Sequence, residues 1–236
     1  MSRRALIVAA PLVLLAALLL FAWNAAVPRM DPQPLPSDLV DLGTSAGQAL
    51  LAEAEDAADY PALAAHFQPQ WLKSYCGVAS SVAVLTAMGA DVTQQDFFTT
   101  EARSVRPRWR VVVAGMALDE LGGLLAAHGA TVRVRHADAF DVAAFRKVVA
   151  ENLSRPVDYL IVNYDRKALG QEGAGHISPL AAYDAESDRV LVMDTAAYRY
   201  PRTWVPLDQL YDAMATSDSG SERMRGYVEV QAIARD

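Results

Sequence analysis

Four residues of this sequence have the types and the order that nucleophilic acyl transfer needs: Gln70, Cys76, His176 and Asp194. In such chemistry a thiolate attacks a carbonyl carbon, an imidazole moves the proton, and a carboxylate orients the imidazole. The sequence predicts Cys76 as the nucleophile, His176 as the general base and then acid, and Asp194 as the residue that orients it. Gln70, on the loop before Cys76, is predicted to donate an amide N–H to the developing oxyanion.

The residues after Cys76 predict a helix that begins at this cysteine. Apolar side chains recur near helical spacing over residues 78–88, and Gly89 follows as a C-terminal cap would. The dipole and free N–H groups at a helix N-terminus stabilise a thiolate. Gly77 lacks a side chain, and we expect the space beside the sulfur to admit a substrate.

His176 and Asp194 are predicted to meet across a hairpin. His176 follows the glycine-rich loop 170–175, and two strands, 177–183 and 189–195, flank a turn of five residues. Asp194 stands at the end of the second strand. Pairing of the two strands would therefore bring its carboxylate to the imidazole.

The order of the remaining elements indicates an α+β fold. Helices are predicted at 44–54, from Cys76, from Thr93, and at 116–127, 141–151 and 207–215, and strands at 131–135, 157–164 and 226–231 in addition to the hairpin. The cysteine thus belongs to a helical first half, and the histidine and aspartate belong to an antiparallel sheet. This is the layout of papain-like thiol enzymes.

Composition excludes several classes of protein. The chain has 236 residues, 53% of them hydrophobic, and one cysteine, so it is neither disordered nor built on disulfides. Its net charge of −7 gives no basic field for nucleic acid. The four histidines and the cysteine have no metal-binding spacing, so no metal site and no built-in cofactor are predicted.

The N-terminus is predicted to direct export. Arg3 and Arg4 precede nineteen uncharged residues, 5–23, which as a helix would span ~28 Å, close to the bilayer core. We expect residues 1–26 to be a signal peptide or a signal anchor, 27–40 a proline-rich spacer, and 41–236 the catalytic domain. The domain would then lie in the periplasm or another extracytoplasmic space, secreted or attached to the inner membrane.

Several motifs together resemble the phytochelatin synthase family, and its short bacterial branch most closely: residues 67–70, 74–80, 175–179, 194 and 200–206. The resemblance implies a papain-like fold and cleavage of the Cys–Gly amide of glutathione, with γ-glutamylcysteine passed to water or to a second glutathione. It implies substrate contacts at Asn163, Gly175 and Arg225. Cadmium or zinc would enter as glutathione-thiolate complexes, as part of the substrate.

Other interpretations stay open at this stage. We favour water over a second glutathione as the acceptor, because the sequence shows no acceptor site that excludes water. A thiol protease that acts on other peptides would use the same four residues. A membrane-tethered metal-binding protein without catalysis is a further alternative, and so is a homodimer.

Overall fold

An antiparallel sheet organises the fold. The computed structural model describes residues 23–156 and 158–233. Within them the strands are β1 (Val40–Asp41), β2 (Ala130–His136), β3 (Tyr159–Asp165), β4 (Gly175–Asp184), β5 (Arg189–Val192), β6 (Thr203–Pro206) and β7 (Gly226–Ile233). These seven strands form one sheet in the order β1-β6-β5-β4-β3-β7-β2, and every pairing is antiparallel. The α+β fold class is confirmed, with the predicted hairpin as β4 and β5.

Most of the helices precede β3, β4 and β5, the three central strands of the sheet, as expected. They are α1 (Ser45–Glu53), α2 (Tyr60–His66), α3 (Cys76–Ala87), α4 (Thr100–Val105), α5 (Arg108–Ala114), α6 (Leu118–Ala127), α7 (Val142–Leu153) and α8 (Leu207–Met214). Two of the predicted starts are capped by side chains: Thr44 accepts from the N–H of Gly47, and Asp141 from that of Ala144.

One predicted helix is absent from its position. The hydroxyl of Thr93 donates to the carboxylate of Asp96 and accepts from the N–H groups of Gln95 and Asp96, which closes a single turn. Side chains of this type compete with the helical backbone pattern. The next helix, α4, begins only at Thr100, where Thr99 caps it through the N–H of Ala102.

Helix α3 is the element that joins the helical layer to the sheet. Its residues from Gly77 to Leu85 are all buried, which is the state of a helix that is apolar on every side. The hydroxyl of Ser80 donates to the carbonyl of Ile177 on β4 over 3.0 Å. The N-terminal half of α3 is therefore held against the strand that carries His176.

Residues 27–40, which were predicted to be a spacer, lie along the domain. The N–H groups of Asp31 and Gln33 donate to the carbonyls of Tyr198 and Arg199, each over 2.9 Å. Arg199 also forms an ion pair with Asp31 at 2.9 Å. Proline favours the extended backbone such a segment needs, and these contacts make it a docked strap.

The predicted export signal falls mainly on residues 1–22, outside the described residues. Residues 23–26 form one helical turn, and the carbonyl of Ala26 accepts from the N–H of Lys73. Among the residues that the structure describes, no helix is both long and apolar enough to cross a bilayer.

The buried carboxyl group of Asp59 is expected to make the free energy of unfolding depend on pH. Burial and the charge of Asp158 raise its pKa to about 8, and neither of its carboxylate oxygens has a hydrogen-bond partner within the described residues. The unfolded chain releases this proton near the ordinary pKa of 3.8. The folded state therefore loses stability as the pH rises from about 4 to about 8.

We expect Asp59→Asn to raise the free energy of unfolding by about 2 kcal/mol at pH 8.5 and to change it little near pH 4. Urea unfolding at the two pH values measures this. The exposed Asp138→Asn is the matched control and is expected to show no such difference. Equal effects of Asp59→Asn at both pH values would contradict the prediction.

Candidate active site

Cys76 is the first residue of α3. The preceding residue, Tyr75, makes no side-chain hydrogen bond that caps the helix. The N–H groups of the first turn are thus available to an anion at this end. The position of the missing side chain of Gly77 is filled by Met116, because a Cβ there would lie 2.5 Å from its sulfur. The open space beside Cys76 is instead the cavity that this cysteine lines.

The structure brings Asp194 to His176 as predicted. His176 lies on β4 opposite Tyr164 of β3, and its ring packs edge-on against Tyr164 at 5.7 Å. Its Nε2 lies 2.9 Å from Oδ1 of Asp194, and both side chains are buried. The second ring nitrogen, Nδ1, is therefore the one left for the hydrogen bond with the Cys76 thiol.

Arg166 completes this group, and it was not among the predicted site residues. Its Nη2 lies 2.8 Å from Oδ1 and 2.7 Å from Oδ2 of Asp194, and its Nη1 donates to Gln171 over 2.7 Å. The guanidinium also lies over the ring of Tyr200, 5.0 Å from its centre. A position directly after a buried strand was its only sequence signal, because the partner carboxylate is distant in the chain.

The thiol of Cys76 is shifted toward its charged form. Burial acts to raise its pKa, but the hydrogen bond and charge of His176 and the N–H groups of Ile177 and Gly77 outweigh burial. The pKa of Cys76 is consequently lower than the ordinary value of 9.0. A low pKa is what a nucleophilic cysteine requires.

The imidazole is shifted in the complementary direction. Burial and the charge of Arg166 act to lower the pKa of His176, but Asp194 and the Cys76 thiol raise it above 6.5. Burial acts to raise the pKa of Asp194, and the charges of His176 and Arg166 hold it well below its usual range. A thiolate–imidazolium pair beside a permanent carboxylate is the state these shifts favour.

These shifts predict that alkylation of Cys76 by iodoacetamide has its midpoint below pH 9.0, the ordinary pKa of a thiol. As the pH falls, the rate declines only when it passes the lowered pKa of the thiol. We expect His176→Ala to move this midpoint up, because the hydrogen bond and the charge of the imidazole then no longer oppose burial. Mass spectrometry reports a single site, since Cys76 is the one cysteine of the sequence. The exposed His66→Ala is the control, and equal midpoints in all three proteins would refute the prediction.

The structure does not direct the amide of Gln70 at the sulfur. Its Nε2 donates to the carbonyls of Leu72 and Lys73, over 2.9 and 2.8 Å, and its Oε1 accepts from Thr195. Both amide hydrogens are thus used to shape the loop that leads into α3. Donation to an oxyanion requires the amide to leave these carbonyls, and this role stays a prediction.

The three predicted substrate contacts lie together in the cavity that also contains Cys76 and His176. This cavity has a volume of about 510 Å³. Nη1 of Arg225 donates to Oδ1 of Asn163 over 3.0 Å and lies 3.2 Å from Asp218, which was not among the predicted site residues. Gly175 makes room for this guanidinium, because a Cβ there would lie 2.5 Å from its Nη1.

A cysteine at a helix N-terminus, paired with a buried histidine and aspartate beside a cavity, defines the class of thiol-dependent acyl-transfer sites. The comparison with known families is specific within that class. The sequence model named Phytochelatin synthase matches residues 30–227. The chain belongs to the phytochelatin synthase family.

Curated relatives carry a consistent name. The chain is 34% identical over 179 residues to glutathione gamma-glutamylcysteinyltransferase 3 of Lotus japonicus, covering 73% of this chain and 37% of that protein. It is 32% identical over 211 residues to glutathione gamma-glutamylcysteinyltransferase 1 of Triticum aestivum, covering 86% and 42%. The chain therefore spans less than half the length of these relatives.

Proposed function

We propose that this protein cleaves the Cys–Gly amide of glutathione and transfers the γ-glutamylcysteinyl group, to water principally and to a second glutathione to a smaller extent. The proposal rests on one observation: the nucleophile Cys76 lines the same cavity as a charged cluster formed by Asn163, Asp218 and Arg225. The names of the relatives support the same substrate and the same transferred group.

The charged cluster matches the γ-glutamyl end of glutathione, which bears an α-carboxylate and an α-ammonium group. Nε and Nη1 of Arg225 are bound to Thr216, Asn163 and Asp218. Nη2 makes no hydrogen bond within the described residues and is free to donate to the carboxylate. Asp218 can accept from the ammonium group. This arrangement would hold the γ-glutamyl end while the peptide bond lies at Cys76.

The first half of the reaction follows from the paired side chains. The Cys76 thiolate attacks the carbonyl carbon of the Cys–Gly amide, and its oxygen takes the negative charge. The N–H groups at the start of α3 stabilise this oxygen, because no side chain caps them. The imidazolium of His176 protonates the glycine nitrogen. The C–N bond breaks, glycine leaves, and a thioester remains on Cys76.

In the second half, neutral His176 removes a proton from the acceptor as it attacks the thioester. Water yields γ-glutamylcysteine, and the α-amine of a second glutathione yields a chain longer by one γ-glutamylcysteine unit. Arg199, five residues after Asp194, forms an ion pair with Asp31 of the docked strap and is therefore not a free cation for a second glutathione. Water is therefore the favoured acceptor.

The remaining parts of the proposal concern the fold, the metals and the location. A papain-like arrangement is supported by the packing of α3, with Cys76, against β4, with His176. Cadmium or zinc would act as glutathione-thiolate complexes in the substrate. The apolar run 5–23 supports an extracytoplasmic location. Mass measurement of the native protein tests whether that run is retained.

Product analysis with glutathione tests the function. The purified protein is incubated with glutathione, with and without Cd²⁺ or Zn²⁺, and glycine, γ-glutamylcysteine and longer products are quantified. We expect γ-glutamylcysteine in slightly smaller amounts than glycine, with the difference recovered as the minor fraction of longer products. Unstructured peptides without a γ-glutamyl group serve as controls. Cleavage of these peptides at a rate equal to glutathione would indicate a general thiol protease.

A further inference from the structure

We propose that Lys73 binds the carboxylate of the glycine that leaves glutathione, and so selects substrates with a free carboxylate after the scissile bond. The inference rests on the proposed function, because it assigns a second end of the same substrate. Lys73 lies three residues before the nucleophile and lines the same cavity. Its side chain is exposed at the rim.

The charges in the cavity single out this lysine. Arg106 is bound to Glu120, and Arg225 lies 3.2 Å from Asp218. Among the arginine and lysine residues that the structure describes in the cavity wall, only Lys73 has no carboxylate partner. It is the cation that a second carboxylate of a ligand can reach without breaking an ion pair of the protein.

The backbone of Lys73 is fixed on both sides. Its N–H donates to the carbonyl of Ala26 over 2.9 Å, and its carbonyl accepts from Nε2 of Gln70 over 2.8 Å. The neighbouring Ser74 is held by the carbonyl of Val112. The flexible ammonium group therefore starts from a constant position next to Cys76, which reduces the entropy lost when it binds a carboxylate.

The positions of the charges agree with the order of glutathione along the cavity. Asn163, Asp218 and Arg225 belong to the sheet side and are proposed to bind the γ-glutamyl end. Lys73 belongs to the loop before α3, on the helical side of the cavity. The scissile amide separates the γ-glutamyl group from the glycine carboxylate, and Cys76 and Lys73 line the same cavity. Two cationic groups thus serve two carboxylates.

The test compares glutathione with its glycine ethyl ester, in which this carboxylate is masked. Glycine or glycine ethyl ester release is measured for the wild type, Lys73→Met and the matched control Lys147→Met. We expect Lys73→Met to raise KM for glutathione about 10-fold with little change in kcat, since the contact exists before and during the reaction. We expect Lys73→Met to leave KM and kcat for the ester as they are in the wild type. Lys147→Met is expected to change neither constant for either substrate.

The outcomes separate the two hypotheses. Absence of glycine release by the wild type would overturn the proposed function and this assignment with it. If the wild type cleaves glutathione, equal effects of Lys73→Met on both substrates, or no effect on glutathione, would overturn the role of Lys73 alone. Lys73→Glu gives a second measure: it is expected to reverse the preference, so that the ester becomes the better substrate.

Discussion

Cys76→Ser is expected to reduce glycine release from glutathione by at least about 10³-fold. The hydroxyl of serine stays protonated near neutral pH, whereas the hydrogen bond and charge of His176 help to hold the thiol as a thiolate against burial. In place of the thioester, serine would form an ester, which the acceptor attacks more slowly. Quantitative glycine analysis under single-substrate conditions measures the loss.

The loss must come from chemistry and not from unfolding. Oxygen replaces sulfur in a half-buried position with no other change of shape, so we expect the midpoint of thermal unfolding to shift by no more than a few degrees. Cys76→Ala serves as a second variant without any nucleophile. Glycine release at the wild-type rate by either folded variant would rule out Cys76 as the nucleophile.

Arg166→Met is expected to lower the free energy of unfolding by about 3–5 kcal/mol, the typical result of removing one partner from a buried ion pair. Arg166 is 4% exposed and Asp194 is 2% exposed. The carboxylate would keep its contacts with His176 and the N–H of Ala196, and would lose a cation at 2.7 Å. Urea unfolding measures the change.

The same variant has an electrostatic signature that packing alone would not produce. Because the charge of Arg166 acts to lower the pKa of His176, its removal is expected to raise that pKa further. The imidazolium form then persists to higher pH, so the alkaline limb of the kcat/KM profile is expected to move to higher pH.

Two further variants make this prediction specific. Arg166→Lys keeps the charge but not the planar pair of donors, and it is expected to restore the pH profile more fully than the stability. The exposed Lys167→Met is the neighbouring control. An unchanged alkaline limb in Arg166→Met, in a variant shown to be folded, would contradict the role of Arg166 in setting the charge of His176.

Local pattern was sufficient for much of the fold. Helical spacing and a terminal glycine placed the helix that begins at Cys76, and β-branched and aromatic runs placed the central strands and the hairpin. The prediction failed at Thr93, where side-chain hydrogen bonds close a turn before a helix can continue. The short strands β1 and β6 were missed because they depend on pairing with each other and with the hairpin.

The site divides in the same way between local and distant information. The hairpin predicted the meeting of His176 and Asp194, since register brings residues across a turn together. Arg166 had no comparable signal, because Asp194 lies 28 residues further along the chain. Asp218 is close in sequence to Arg225, but Asn163, which also contacts it, lies 55 residues before it. Gln70 shows the reverse case: its position before Cys76 is as predicted, and the carbonyls of its own loop determine where its amide points.

Residue type, periodicity and spacing were enough to predict the order of the chemical groups, the helix that begins at the nucleophile and the resemblance to a family. These are properties of residues that are close together in the chain. The balance of Asp194 between two cations and the contact of Arg225 with Asn163 were not predictable in this way. Charge balance in a buried site is set by groups that folding brings together from distant parts of the chain.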